Sequence, residues 1–253
     1  MLKTFAADRL QVNVYENRSE MGKAAATDIS AAIRRVLEQK ECCNMIFAAA
    51  PSQNEVLAAI VGDASIDFTR INAFHMDEYI GLPGDAPQAF GNFLRRALFD
   101  HAPWRNVNYI NGNAADIDAE CARYTALLQE YPADIVVLGI GENGHVAFND
   151  PPVADFADPV LIKPVPLDPI CRQQQVNDGC FSSIDLVPTH ALTLTVPALM
   201  AGSELYCVVP APTKADAVAA TVYGPIGEHC PATAMRSHSC ATLYIEPDSA
   251  AKL

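Results

Sequence analysis

The sequence has few basic residues and no long apolar run. Its 253 residues include 17 Lys and Arg against 30 Asp and Glu, which gives a formal net charge of −13. A charge of that sign argues against binding to nucleic acid or to an anionic membrane surface. No apolar run approaches the ~18 residues of a membrane span, and MLKTFAADRLQVNVYENRSEMG at the N-terminus lacks the apolar core of a signal peptide. These absences predict a soluble cytoplasmic protein with no nucleic-acid or membrane partner.

Linkers and metal motifs are also lacking. No Ser/Gly-rich linker, low-complexity tract or repeat divides the chain, and half of its residues are apolar, so we predict a single domain over residues 1–253. The eight cysteines are an even number, but the length and the missing secretion signal favour free thiols. The cluster of His229, Cys230, His238 and Cys240 matches no common zinc spacing, so no metal site is predicted.

Short apolar runs alternate with helical patterns along the chain, which predicts an α/β fold. We expect a Rossmann-like, mostly parallel sheet flanked by helices, with ligands at the carboxyl ends of the strands. The expected strands are 11–15, 44–50, 71–76, 106–110, 133–140, 205–211 and 241–247, and the expected helices are 19–39, 88–99, 115–130 and 213–221.

A glycine-rich turn follows the most apolar of these strands. In VVLGIGENGHVAFNDPP (136–152), Gly139, Gly141 and Gly144 have the spacing of a dinucleotide-binding fingerprint. That fingerprint requires a helix directly after the glycines. Pro151 and Pro152 exclude a helix there, so nucleotide binding is disfavoured.

The same turn presents a histidine among polar residues. Histidine is the side chain whose ordinary pKa lies nearest neutral pH, so His145 is a candidate proton carrier. Asn143 and Asp150 lie close to it in sequence, and glycines such as Gly141 and Gly144 let the backbone approach a ligand. The alternative is a histidine that only bonds a loop carbonyl.

Two further stretches carry charged residues at strand ends. In INAFHMDEYIGLP (71–83), Asp77 and Glu78 follow a strand; a partly desolvated aspartate can act as a base on a carbon acid, although a solvated loop would look the same. In VVPAPTKADAV (208–218), Lys214 falls in the first turn of a helix, where its charge is unfavourable. A bound phosphate would explain it, and an exposed lysine is the alternative.

Together these stretches resemble the glucosamine-6-phosphate deaminase/isomerase family, which shares its fold with 6-phosphogluconolactonases. HMDEYIGL (75–82) is similar to the deaminase-type MDEY-G segment. GIGENGHVAFNDP (139–151) is similar to the family segment G-x-G-x-D-G-H-x-A-F-N-E-P, and NYINGNAADIDAECARY (108–124) is also similar. The resemblance runs from about residue 44 to about residue 245.

The resemblance implies conversion of an amino-sugar phosphate and water to a ketose phosphate and ammonia, with no metal or organic cofactor. It implies that His145 opens the sugar ring, that Asp77 moves a proton between C2 and C1, and that Lys214 binds phosphate. Glu78, Gly141 and Gly144 fall within the same segments and are candidate substrate contacts. Asn143 and Asp150 replace the Asp and Glu that flank the family's histidine, so we expect Asp150 to supply the charge near the imidazole.

The implied phosphate site also departs from the family pattern. A Thr-Gly-Gly-Thr-Pro type turn is replaced by Ala50-Pro51-Ser52-Gln53-Asn54, in which Ser52 and the N–H groups of Gln53 and Asn54 are the expected ligands. For the family's phosphate-binding arginine, LDPICRQQQ (167–175) offers Arg172, which we favour because a dianion needs charge. Gln175 is the alternative alignment, and Lys163 is a weaker candidate.

Three functions remain open from the sequence. The first is a deaminase/isomerase acting on the glucosamine or galactosamine epimer of the sugar phosphate. The second is a lactonase-like hydrolase that uses His145 on an ester, and the third is a sugar-phosphate-binding protein without the proton relay. The sequence leaves open whether the chain forms a homo-oligomer, and the arginines of allosteric members are not evident around 153–162.

Overall fold

The computed structural model describes residues 1–253 and contains two sheets surrounded by helices. Because buried backbone groups must be paired, these elements account for most of the main-chain hydrogen bonds. The strands are β1 Lys3–Ala7, β2 Leu10–Val14, β3 Cys43–Phe47, β4 Ile71–His75, β5 Asp77–Tyr79, β6 Asn106–Asn108, β7 Ile135–Leu138, β8 Ile162–Pro166, β9 His190–Leu194, β10 Glu204–Val209 and β11 Ala241–Ile245.

Seven α-helices accompany the strands, and none has the length and apolar character needed to cross a membrane. Asn17 caps the longest by accepting a hydrogen bond from the Glu20 N–H, as expected of an N-cap asparagine. The helices are α1 Arg18–Gln39, α2 Asn54–Val61, α3 Phe90–Ala97, α4 Ile117–Glu130, α5 Pro169–Asn177, α6 Val196–Met200 and α7 Ala215–Tyr223.

The large sheet has the order β1-β2-β11-β10-β7-β3-β4-β6. Every neighbouring pair in it is parallel except β1 and β2. All residues of β3 and β7 are buried, as expected of strands covered on both faces. Met45 and Phe47 belong to one apolar core and Ile46 to the other, because successive side chains point to opposite faces. The predicted α/β class with a mostly parallel sheet is confirmed.

A small antiparallel sheet with the order β5-β9-β8 was not expected from the sequence. β8 contains Pro164 and Pro166, which obscure a strand signal and are tolerated because β8 is an edge strand. β5 follows β4 after the single residue Met76, so the two strands look like one run in the sequence. Because β5 begins at Asp77, this second sheet starts where the chain leaves β4.

The order of the strands reverses at the boundary between β3 and β7. From β3 the sheet grows through β4 and β6 on one side and through β7, β10 and β11 on the other. A reversal of this kind leaves a crevice outside the carboxyl ends of the strands, where ligands bind in open α/β sheets. No helix follows the glycines after β7 until α5 begins at Pro169, as the two prolines predicted.

Candidate active site

One pocket lies in this crevice and is built from the turns that follow β3, β4, β7 and β10. It brings together Asp77, His145 and Lys214, which are far apart in the sequence. The other polar or charged side chains that line it are those of Arg18, Ser52, Gln53, Gln174, Gln175, Asp178 and Thr213.

Asp77 occupies the first position of β5 and lines the pocket. Its side chain is buried, and Oδ1 has no hydrogen-bond partner within the protein. Burial, and then the neighbouring Glu78 carboxylate, raise the pKa of Asp77 well above its ordinary value. An aspartate in this environment binds a proton more strongly than one in water.

His75 holds the backbone of Asp77 and was not singled out by the sequence. Its Nδ1 lies 2.8 Å from the carbonyl oxygen of Asp77, and its Nε2 lies 2.9 Å from the backbone nitrogen of Ile110. A carbonyl can only accept and an N–H can only donate, so Nδ1 carries the hydrogen and Nε2 accepts. Burial lowers the pKa of His75 to about 4, so the ring is neutral at neutral pH. In that form it holds the backbones of Asp77 and Ile110 in place.

Glu78 does not line the pocket, contrary to its predicted role in substrate binding. Its carboxylate accepts hydrogen bonds from the backbone N–H groups of Tyr79, Phe90 and Gly91 at 2.8–3.0 Å. Two of these donors are in the first turn of α3, where a carboxylate is favourable. Adjacent residues of a strand point to opposite faces, so Asp77 and Glu78 diverge.

His145 forms a compact network with the two residues that depart from the family pattern. Nδ1 of His145 lies 2.7 Å from Oδ1 of Asn143 and 3.0 Å from Oδ1 of Asp150. The Asn143 amide donates to the same Asp150 oxygen at 2.9 Å, and its Oδ1 also accepts the His145 backbone N–H. Asn143 and Asp150 themselves do not line the pocket.

Asp150 carries the negative charge of this network. Burial opposes its ionisation, but hydrogen bonds from His145 and Asn143 hold the pKa of Asp150 below its ordinary value. The carboxylate therefore fixes the imidazole through Nδ1. Nε2 of His145 has no hydrogen-bond partner within the protein, and the ring lines the pocket.

The glycines of this turn make room for side chains. A Cβ on Gly141 would lie 2.1 Å from Cε1 of His145, and one on Gly144 would lie 2.6 Å from Sγ of Cys230. Gly144 also has a φ of +84°, a conformation that favours glycine. Gly141 lines the pocket, whereas Gly144 does not. Of these two predicted substrate contacts, Gly141 alone lies where a ligand in the pocket could touch it.

Lys214 lies in the short 3₁₀ turn that precedes α7, after Ala211. Its side chain is buried, and its ammonium has no hydrogen bond or ion pair within the protein. Burial lowers the pKa of Lys214, which Asp178 and Glu142 oppose. A buried cation without a counter-charge at contact distance is costly, so its place in the pocket favours an anionic ligand.

The turn after β3 brings Ser52 and the side chain of Gln53 to the pocket, but not Asn54. The N–H groups predicted to bind phosphate are bonded within the turn: that of Gln53 donates to the Ala50 carbonyl at 2.9 Å and that of Asn54 to the Pro51 carbonyl. Gln53 is fully buried; its Nε2 donates to the Val208 carbonyl at 3.1 Å, and its Oε1 has no partner. Asn54 begins α2 and is exposed.

Arg172 is not in the pocket, contrary to the expectation that it contacts phosphate. Its Nη2 donates to the carbonyls of Ile184 and Val187, both at 2.8 Å. Gln175, the alternative alignment, is buried and lines the pocket instead. Lys163 is also elsewhere, because its ammonium donates to Asp158 and to the Val153 carbonyl.

Several other pocket residues were missed by the sequence, among them Arg18 and Ala211. Arg18, the first residue of α1, reaches the rim beside the turn after β3. Ala211 has a φ of +90°, which a residue with a Cβ rarely adopts, and its N–H donates to Glu246 at 2.9 Å. Both depend on contacts between distant segments, so neither has a local sequence signal.

One group of side chains has the composition of a metal site. The ligand atoms of His145, Asp150 and Cys171 lie within 4.8 Å of one another. Burial, and then Asp150, raise the pKa of Cys171 well above its ordinary value, so the thiol resists forming the thiolate that a metal requires. The arrangement suits proton transfer through the imidazole better than metal binding.

These observations define a Rossmann-like α/β protein whose pocket brings together a buried carboxyl, an imidazole and a buried ammonium, from Asp77, His145 and Lys214. Within that class, the chain belongs to the family of glucosamine-6-phosphate isomerases and 6-phosphogluconolactonases, whose model matches residues 16–154. This confirms the resemblance noted in the sequence.

Curated relatives agree with this assignment. A glucosamine-6-phosphate deaminase of Lactobacillus delbrueckii subsp. bulgaricus is 30% identical over 96% of this chain and 100% of its own. A glucosamine-6-phosphate deaminase of Bacillus cereus is 35% identical over 73% of this chain and 68% of its own. The chain is therefore similar to deaminases along nearly its whole length.

Solved structures show the same relationship. A monomeric glucosamine-6-phosphate deaminase superposes with a TM-score of 0.88 at 28% identity, over 96% of this chain and 99% of that one. A 6-phosphogluconolactonase from Thermotoga maritima superposes with a TM-score of 0.75 at 20% identity, over 93% of this chain and 98% of that one. This similarity shows the shared fold.

Proposed function

We propose that this protein is an amino-sugar-phosphate deaminase/isomerase. It converts glucosamine 6-phosphate, or its galactosamine epimer, and water to the ketose 6-phosphate and ammonia. The observation that carries the proposal is the presence in one pocket of a buried carboxyl, an imidazole and a buried ammonium, from Asp77, His145 and Lys214. The deaminase names of the relatives support the same reaction.

In this proposal His145 opens the sugar ring. Its Nδ1 is held by Asn143 and Asp150, so Nε2 is the atom that exchanges a proton with the ring oxygen and the anomeric hydroxyl. Asp150 stabilises the imidazolium that forms when Nε2 takes up the proton. Asn143 orients both partners without adding charge.

Asp77 then moves a proton along the open chain. The hydrogen on C2 is acidic because C2 is next to the C1 aldehyde. The Asp77 carboxylate removes it while the C1 oxygen takes up a proton from the neighbouring C2 ammonium, which gives an enolamine. Return of the proton to C1 leaves an imine at C2, which water hydrolyses to the ketone and ammonia. The desolvation that raises the pKa of Asp77 makes its ionised form a stronger base.

Lys214 binds the phosphate at the other end of the substrate in this scheme. Its buried ammonium supplies charge, and the Ser52 hydroxyl and the Gln175 amide supply neutral donors in the same pocket. The Gln53 amide donates to Val208 and Ser52, so its free Oε1 can only accept from a hydroxyl of the sugar. Such a pocket holds the sugar by its phosphate while C1 and C2 are held beside the proton-transfer groups. The reaction uses no metal and no organic cofactor.

The test is ammonia release from glucosamine 6-phosphate and galactosamine 6-phosphate in parallel, with Asp77→Asn and His145→Ala as controls. Release from one sugar that is lost in both variants supports the proposal and identifies the epimer. Hydrolysis of 6-phosphogluconolactone without ammonia release would favour the lactonase-like alternative. Binding of both amino sugars without turnover would favour the binding-protein alternative.

A further inference from the structure

We propose that Arg18 is a second phosphate-binding cation in the pocket that contains Lys214. The inference rests on the proposed function for the identity of the ligand as a sugar phosphate. The geometry concerns Arg18, Glu55 and the turn at Pro51–Gln53, none of which belongs to the groups that transfer protons.

A close approach of two helices places Arg18 at the pocket. A Cβ on Gly22 would lie 2.5 Å from Cβ of Glu55, so α1 packs against α2 at a point that only glycine allows without displacement. Arg18 precedes Gly22 by four residues and therefore lies on the same face of α1, one turn nearer the helix start. That position is over the turn between β3 and α2, which lines the pocket.

Two hydrogen bonds fix the guanidinium but leave part of it free. Nε donates to Oε1 of Glu55 at 2.6 Å, and Nη2 donates to the carbonyl of Pro51. Nη1 has no partner within the protein, and the side chain is 39% exposed, which suits a group at the rim of a pocket. Arginine presents donors in a planar fork, so a fixed guanidinium with free donors is a good phosphate ligand.

The negative charge of a sugar phosphate exceeds the positive charge that Lys214 alone supplies. A sugar phosphate carries close to two negative charges at neutral pH, whereas Lys214 supplies one positive charge. Gln175 lies at the pocket where an arginine was expected and is neutral, and Arg172 is bonded to backbone carbonyls elsewhere. Arg18 is the remaining Lys or Arg that lines the pocket.

A purely structural role for Arg18 is the competing explanation, because it bridges Glu55 and Pro51. The two roles differ in what Glu55→Gln should do. If Arg18 only holds α2 and the turn at Pro51 in place, Glu55→Gln weakens the contact between Arg18 and Glu55. Ligand binding should then fall as it does in Arg18→Gln. If Arg18 binds phosphate, removing a carboxylate charge at 2.6 Å leaves its positive charge uncompensated and maintains or improves phosphate binding.

The experiment compares the wild-type protein with Arg18→Gln, Arg18→Lys, Glu55→Gln and Arg34→Gln. Arg34 is the matched control because it lies on the same helix, about 24 Å from Arg18 along the axis, and contacts Asp63 and Ser65 outside the pocket. Two quantities are measured for each: the dissociation constant of inorganic phosphate by calorimetry, and kcat and KM for ammonia release. Thermal unfolding checks that each variant is folded.

We expect Arg18→Gln to weaken phosphate binding and raise KM by about tenfold to a hundredfold, with kcat nearly unchanged. Arg18→Lys should fall between it and wild type, and Glu55→Gln and Arg34→Gln should bind phosphate at least as tightly as wild type. Unchanged phosphate binding in Arg18→Gln, or equal losses in Arg18→Gln and Glu55→Gln, would overturn the proposal. If wild type releases no ammonia from either sugar, the proposed function fails, while the phosphate titration still decides the role of Arg18.

Discussion

Nδ1 of His145 lies 3.0 Å from Oδ1 of Asp150, and Asn143 bonds to both residues. One oxygen of one carboxylate therefore supplies the negative charge in contact with the imidazole, and the amide of Asn143 sets its orientation. A sequence comparison alone would treat the two departures from the family pattern as equal, whereas the geometry assigns them different tasks.

The first prediction concerns this division of tasks. Asp150→Asn should lower kcat by about a hundredfold or more and change the pH–rate profile, because general acid–base catalysis by the imidazole depends on the charge that orients and stabilises it. Asn143→Asp should also change the pH–rate profile, because it removes the amide that donates to Oδ1 of Asp150 at 2.9 Å and puts a second carboxylate beside that oxygen and the imidazole. Identical pH–rate profiles for wild type and Asp150→Asn would contradict this assignment.

The second prediction concerns Asp77, whose pKa in the folded protein is raised by burial and by Glu78. Above its folded pKa the ionised carboxylate is buried, so stability falls as pH rises from the unfolded value, near 3.9, through the folded value. Asp77→Asn should lower kcat by about a hundredfold to ten-thousandfold. At pH values above the folded pKa of Asp77, the variant should be thermally more stable than the wild type. The measurement is Tm against pH for both proteins.

At pH values below the ordinary pKa of aspartate, both forms are uncharged at this position, and the difference in Tm should vanish. A variant that is less stable than wild type at neutral pH would show that the buried carboxylate is compensated by contacts beyond those described. Glu78→Gln is a useful comparison, because it should lower stability by weakening the hydrogen bonds to Phe90 and Gly91.

The third prediction concerns Gly141. Its missing side chain leaves space for the His145 ring, since a Cβ there would lie 2.1–2.3 Å from three atoms of the imidazole. Gly141→Ala should therefore displace the ring and lower kcat by about a hundredfold, the cost of a misplacement near 1 Å. An alanine variant with normal kcat would mean that the ring moves without loss of function. Gly84→Ala is the control for general glycine effects, because Gly84 lies outside the pocket and a Cβ there would meet no atom within 4 Å.

The fourth prediction separates Arg172 from the phosphate site. Arg172→Gln should leave KM for the sugar phosphate unchanged, because the guanidinium donates to the Ile184 and Val187 carbonyls. It should lower stability by about 1–3 kcal/mol, the range for hydrogen bonds from charged groups. A large rise in KM without a change in Tm would show instead that Arg172 contacts the sugar phosphate.

The fifth prediction follows from the buried ammonium of Lys214. Burial lowers its pKa, so it becomes neutral at a lower pH than an exposed lysine does. KM for the sugar phosphate should therefore rise on the alkaline side, as the positive charge is lost. Lys214→Arg, which stays protonated, should flatten that rise even if the larger side chain weakens binding overall. A wild-type KM that is constant up to the ordinary pKa of lysine, near 10.4, would contradict this.

The parallel sheet and the turns that carry its chemistry follow from local patterns in the sequence. Continuous apolar runs such as 133–140 marked strands buried on both faces, and chirality and short connections leave few ways to assemble such strands. The carboxyl ends of parallel strands meet at one edge, so Asp77, His145 and Lys214 were expected together and line one pocket. Local pattern was sufficient because Asp77 lies two residues after β4, His145 lies in the glycine-rich turn after β7, and Lys214 directly precedes α7.

Which side chains turn toward that edge depends on how distant elements pack against one another. Arg172 and Gln175 lie three residues apart on α5 and thus on adjacent parts of its surface. Because of the way α5 packs, Gln175 lines the pocket, whereas Arg172 donates to the carbonyls of Ile184 and Val187. Arg18 reaches the pocket because Gly22 allows α1 to approach α2 closely. These placements depend on packing between distant segments, and no pattern within a short stretch of sequence encodes them.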